Sequence, residues 1–189
     1  MNQLAHARHK LAYLVLPVAC VFNRVCARLC TCAARSTQTL DASADEVVMI
    51  TNWVEIFFQD YAEAFRAKAS DRLLAKFCLP LTFLTKSGPL VLNDEARLAA
   101  NLDALMRRYE RIEAVDWNYT IRDVRAIGSG IHLVELEWRF FNADNELLYR
   151  CDTSYFLAGA ANTDLKVMAI IAHNENEEYE QALQRKGSI

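Results

Sequence analysis

Between Ile50 and Phe65 the apolar side chains fall at Ile50, Trp53, Val54, Phe57, Phe58, Tyr61, Ala62 and Phe65, a spacing of three and four that gathers them on one stripe of an α-helix. Glu55, Gln59, Glu63 and Arg66 take the opposite face, so this helix lies on an apolar surface and is not a membrane segment. Ser43 followed three positions later by Glu46 forms a capping box and predicts its start. Ser70-Asp71 predicts the cap of a short second helix running through Lys76. The stretch Phe77 to Leu92 has no acidic residue and reads as two short extended segments turned at Lys86-Ser87-Gly88-Pro89. Asn93-Asp94-Glu95 opens a third helix with Leu98, Leu102, Leu105, Met106 and Tyr109 facing inward, and Arg107, Arg108 and Arg111 at its end complement the helix dipole.

From Ala114 the period changes to two, with Trp117, Tyr119 and Ile121 on one face and Asn118, Thr120 and Arg122 on the other. After the Ile127-Gly128-Ser129-Gly130 turn, Val134, Leu136, Trp138 and Phe140 alternate with Glu135, Glu137 and Arg139. Asn142-Ala143-Asp144-Asn145 turns the chain into Leu147 to Leu157, and Leu165 to His173 is a last strand, apolar on both faces as expected of a central strand or one whose outer face meets a partner. Helices first and long antiparallel strands afterwards predict an α+β domain in which three N-terminal helices cover one face of a sheet.

The 189-residue length suits one domain with a real core, and a composition 53% hydrophobic with few Gly and Pro is that of a globular chain. A net charge of -3 supplies no basic stripe, which argues against nucleic acid as a partner. The average hides an asymmetry: no Asp or Glu precedes Asp41, whereas Arg8, Lys10, Arg24, Arg28 and Arg35 do. Residues 1–42 are therefore expected to be a separate basic leader, residues 43–183 the domain and residues 184–189 a flexible tail. Leu11 to Phe22 is an apolar run behind Arg8 and Lys10, in the order of a signal peptide but shorter than the roughly 20 residues a membrane span takes. The leader is read as a disordered extension, with export or membrane association through residues 1–34 as the alternative; the domain itself is expected to be cytoplasmic and off the membrane. Cys20, Cys26, Cys30 and Cys32 lack the second pair or histidines of a structural zinc site, so no metal is expected, and no cofactor is implied.

The order helix, short helix, hairpin, helix and four long strands, headed by Trp53-x-x-x-Phe57-Phe58-x-x-Tyr61-Ala62-x-Ala64-Phe65, resembles the nuclear transport factor 2-like, or SnoaL-like, superfamily. The end of the last strand, Ala172-His173-Asn174-Glu175-Asn176-Glu177, looks like bacterial SnoaL-like members without an assigned activity. The resemblance covers all but the leader. It implies a cystatin-like α+β roll, a strongly curved and mostly antiparallel sheet forming a cone around an apolar pocket. Relatives use that pocket for isomerase, dehydratase or cyclase chemistry, or keep it as a binding or assembly module. It also places Tyr61 where the isomerases carry an oxyanion-stabilising tyrosine, while the carboxylate base of their early hairpin has no counterpart between Lys76 and Leu92.

Candidate chemistry follows from phase. His173 shares its alternation with Val167, Ala169 and Ile171, so as a group titrating near neutrality it is the candidate acid or base, set against a plain strand-end histidine. Asp123 is a possible carboxylate partner, its facing dependent on any nearby bulge. Asp152 faces the other way, into a charged ladder with Glu135, Glu137, Arg139 and Lys166. Tyr61, Tyr119, Tyr155, Trp117 and Trp138 are candidate ligand-binding residues, with core packing as the bland alternative. Cys151 reads as a buried structural thiol, and Glu175, Glu177, Glu178 and Glu180 as a solvated acidic turn or helix. The leading expectation is a domain that binds a small apolar ligand in its cone and pairs as a homodimer through the outer sheet face at Met168 and Ile170; the alternatives are an enzyme working from His173 and a non-catalytic assembly module.

Overall fold

The computed structural model describes residues 44–159 and 164–187, with side chains from residue 48 onward. The leader and the Ser43–Glu46 capping box lie outside the described side chains. Helix α1 (Ala44–Arg66) buries Val54 and Phe58 completely and leaves Glu55, Gln59 and Glu63 exposed, as its stripe predicts. Its end is pinned by Arg66, which pairs with Asp116 at 2.8 Å and donates to the Trp117 carbonyl at 2.6 Å. Helix α2 (Ser70–Leu74) is a single turn whose N-cap is Ala69 with no side-chain cap; Ser70 is its first residue and not its cap.

Strands β1 (Phe77–Thr85) and β2 (Gly88–Leu92) form a hairpin, where Gly88 turns the chain at φ +113°. In helix α3 (Glu95–Arg111) the Asp94 side chain accepts from the Arg97 backbone N–H at 2.9 Å, and Leu98, Leu102 and Tyr109 are buried. Strands β3 (Asp116–Gly128), β4 (Ile131–Phe141), β5 (Leu147–Ala158) and β6 (Lys166–Ala172) follow, and helix α4 (Glu175–Gly187) ends the described chain.

The six strands form one open, curved sheet in the order β2-β1-β6-β5-β4-β3. All neighbours are antiparallel except β1 and β6. Strand β6 is thus central, which explains why it is apolar on both faces. The architecture is the expected α+β roll with one helix added: α4 packs Tyr179 and Ala182 inward against β5 and carries residues 184–187, expected as loose tail, in regular helix.

Two bulges set which side chains face the concave side. Between β5 and β6, Leu157 pairs with Val167 and Phe156 with Ala169, so Met168 is the extra residue. Between β3 and β4, Ile121 pairs with Leu136 and Asp123 with Glu135, so Arg122 is the extra residue. Because side chains alternate faces along a strand, one inserted residue reverses everything beyond it.

Candidate functional site

The concave face of the sheet and helices α1 and α3 enclose a cavity of about 80 Å³. Its floor is built from the inward phases of three elements: Tyr61 from α1, Trp138 from β4 and Tyr155 from β5, all buried. The Trp138 indole N–H donates to the Tyr155 hydroxyl at 3.0 Å, and the Tyr61 ring lies beside that of Tyr155, centroids 6.3 Å apart. Both phenols are pushed up, chiefly because burial penalises the phenolate, and they stay neutral donors. Trp117 and Phe140 form a second wall with Tyr109, whose ring lies 4.8 Å from that of Phe140. The half-buried lining residues Phe83, Asn101, Leu105, Ala172 and Glu175 mark the mouth.

Glu175, read from the sequence as part of a solvated face, is instead part of this wall. It is the first residue of α4, directly beyond the last central strand, and its carboxylate accepts from the Tyr109 hydroxyl at 3.2 Å. Burial raises its pKa above the ordinary glutamate value, against the opposing pull of Arg108 and the Tyr109 hydrogen bond. Arg108 does not line the cavity; its guanidinium lies 3.9 Å from the centre of the Tyr179 ring and donates to Asn176 at 2.7 Å. A signal for Glu175 is present in the sequence: Glu175, Tyr179 and Ala182 follow helical spacing, and the latter two are buried.

His173 lies elsewhere. The Met168 bulge shifts the phase, so Ile170 and Ala172 line the cavity while His173 projects from the outer face, exposed. There its Nε2 meets the Ser154 hydroxyl at 2.8 Å. Ile170, expected on the outer face with Met168, is buried inside for the same reason. Asp123 is likewise outside: the Arg122 bulge sets it opposite Glu135, and it pairs with Arg125 at 2.6 Å. Tyr119 does not line the cavity; its hydroxyl donates to the Glu55 carbonyl at 3.2 Å, tying α1 to the edge strand. Trp117, Trp138, Tyr155 and Tyr61 do line it. Cys151 is there too, with burial raising its thiol pKa, so it is no thiolate nucleophile.

The outer face holds the charged ladder. Glu137 is buried under Arg122 and Arg139, pairs with both, and faces Asp152 across the β4–β5 register. Burial opposes ionisation of Glu137, but the two guanidinium groups outweigh it and hold its pKa low.

The model of a family described as NTF2-like protein (DUF6841) matches residues 45–175, more than half of the chain. The chain belongs to that family. Among solved structures, the NTF2-like domain is similar to an NTF-2 like protein of unknown function from Shewanella oneidensis MR-1, at 12% identity over 66% of this chain and 98% of that one, with a TM-score of 0.50. It is also similar to a cystatin-like domain of unknown function from Nostoc punctiforme, at 13% identity, 73% and 91% coverage and a TM-score of 0.51. Aln2 from a Streptomyces species matches at 13% identity, 74% and 98% coverage and a TM-score of 0.52. At such identities the likeness is one of fold. No curated protein matches. Among the described residues of the NTF2-like domain, no helix is long and apolar enough to cross a membrane, and no group of three His, Cys, Asp or Glu side chains could hold a metal ion.

Proposed function

We propose that this NTF2-like domain binds a small, largely apolar molecule in its cone, with the polar end of the ligand hydrogen-bonded to the floor. The observation that carries this reading is the buried Trp138–Tyr155 hydrogen bond, with Tyr61 beside it, at the base of an aromatic cavity. An apolar enclosure with a few convergent polar groups is what small-molecule sites share. The apolar part of the outer face, where Met168 is exposed, is the surface through which we propose that two copies pair.

An acid–base enzyme is the second reading, and Glu175 favours it. A carboxyl group held protonated more easily than usual inside a cavity is suited to donate or take a proton. On this reading Glu175, and not His173, is the reacting group.

Native mass spectrometry of the full chain purified from its own host tests the binding reading and reports the oligomeric state. The expected result is a retained small molecule, its affinity falling about thirtyfold in a Tyr61→Phe, Tyr155→Phe double variant, because each of the two lost ligand hydrogen bonds is worth about 1 kcal/mol. A bare chain that also takes up none of a set of small alcohols, ketones and amines at millimolar concentration overturns it.

A further inference from the structure

We infer that the ligand taken by the cone is a small organic cation, an amine whose nitrogen carries methyl or methylene groups, with Glu175 as its counter-charge. This rests on the cone being a ligand site. Three observations carry it further. Among the described residues, Glu175 is the only carboxyl lining the cavity, and no Lys, Arg or His lines it. A bound anion would meet a carboxylate and no cation, whereas a bound cation would meet its counter-charge.

The walls suit a cation as well. More than half of the lining side chains are aromatic. Neighbouring rings run from Tyr61 through Phe65, Trp117 and Phe140 to Tyr109, with centroids 4.9, 6.3, 6.4 and 4.8 Å apart in turn. Tyr109 then reaches Glu175 through its hydroxyl, so the run of rings ends at the carboxylate. Ring faces attract cations within about 6 Å, more strongly where water is excluded, and aromatic cages are a recurring way to hold alkylated ammonium groups. Arg108, whose charge pulls on Glu175, lies outside the lining and is engaged by Tyr179 and Asn176.

Size narrows the class. A cavity of about 80 Å³ is roughly half of one that holds benzene, which excludes a fused ring. Any tail leaves past the half-buried Asn101 and Leu105.

Isothermal titration of the full chain with choline, and with its uncharged isostere in which carbon replaces the ammonium nitrogen, tests the inference. Choline is expected to bind at least tenfold more tightly than the isostere. Glu175→Gln removes that advantage and leaves the isostere unchanged. In the wild-type protein, choline affinity rises with pH as Glu175 loses its proton, whereas the isostere shows no such trend. The other groups facing this carboxyl are Tyr61 from α1, Arg108 and Tyr109 from α3, and Tyr149, Cys151 and Tyr155 from β5; burial raises the tyrosines and the cysteine, so none of them titrates in that window. If Glu175→Gln fails to fold, as judged by its thermal melt, the wild-type pH series decides alone. Equal affinities, or a tighter isostere, overturn the cation and leave the cone as a neutral-ligand site. Failure of both compounds to bind overturns the cation, and the neutral-ligand reading then stands or falls on the retained-ligand experiment.

Discussion

The two faces of strands β4 and β5 are cut from the same residues in alternation, yet they solve opposite problems. On the concave face Trp138 and Tyr155 hold their polar atoms against each other inside an aromatic shell. On the convex face Glu137 answers Arg122 and Arg139 at the edge of solvent. Concave-face polarity is scarce and aimed into a cavity; convex-face polarity is abundant and serves mostly to keep strands paired. A polar group is therefore informative about function here according to the face it occupies, more than by its chemical type. His173 and Glu175, two residues apart, show the difference: one reaches out to Ser154, the other in to Tyr109.

The contrast breaks most visibly at Phe58. Its ring is fully buried and sits 4.9 Å from Tyr155, 5.9 Å from Tyr61 and 6.4 Å from Trp138, so it is the block against which the cavity floor is set. Phe58→Ala is expected to cost about 3–5 kcal/mol in denaturant unfolding, since the rigid sheet cannot close around the void. It also enlarges the cavity, so a variant that still folds takes larger apolar ligands.

A smaller effect is expected across the sheet. Glu137→Ala removes two ion pairs from a side chain only 6% exposed, but the arginines left behind are 52% and 36% exposed and regain water. The expected loss in denaturant unfolding is about 1–2 kcal/mol, weaker in high salt and without change in ligand affinity. A loss as large as that at Phe58, or a change in ligand binding, would erase the distinction between the faces.

How far the sequence reveals this follows from the same alternation. The stripe of α1, the inward set of α3 and the alternation of β4 are strong periodic patterns, and the side chains they carry, Tyr61 and Trp138 among them, lie where the pattern puts them. Counting residues through β6 puts His173 inside and Ile170 outside, and Met168 breaks that count. A bulge leaves no mark in an apolar strand such as Lys166–Ala172, because either phase offers a hydrophobic face. Asp123 lies just past Arg122, a bulge of the same kind. Glu175 is hidden for another reason: it heads a run of acidic residues, and the composition of that run speaks more loudly than the spacing that joins it to Tyr179 and Ala182.

The smallest effect sharpens the comparison most. His173→Ala deletes an exposed imidazole and opens the Ser154 hydroxyl on the outer face to water, so about 0.5 kcal/mol is the expected cost, at the low end for one hydrogen bond. The affinity of any cone ligand should not change, because Thr153 and Tyr155 line the cavity while Ser154 between them points away. Paired titrations of the wild-type protein and this variant with the same ligand check it. A loss of tenfold or more would mean that the end of β6 can reverse its phase, bringing His173 inward and carrying Glu175 out, and the concave face would then have to be redrawn around the histidine.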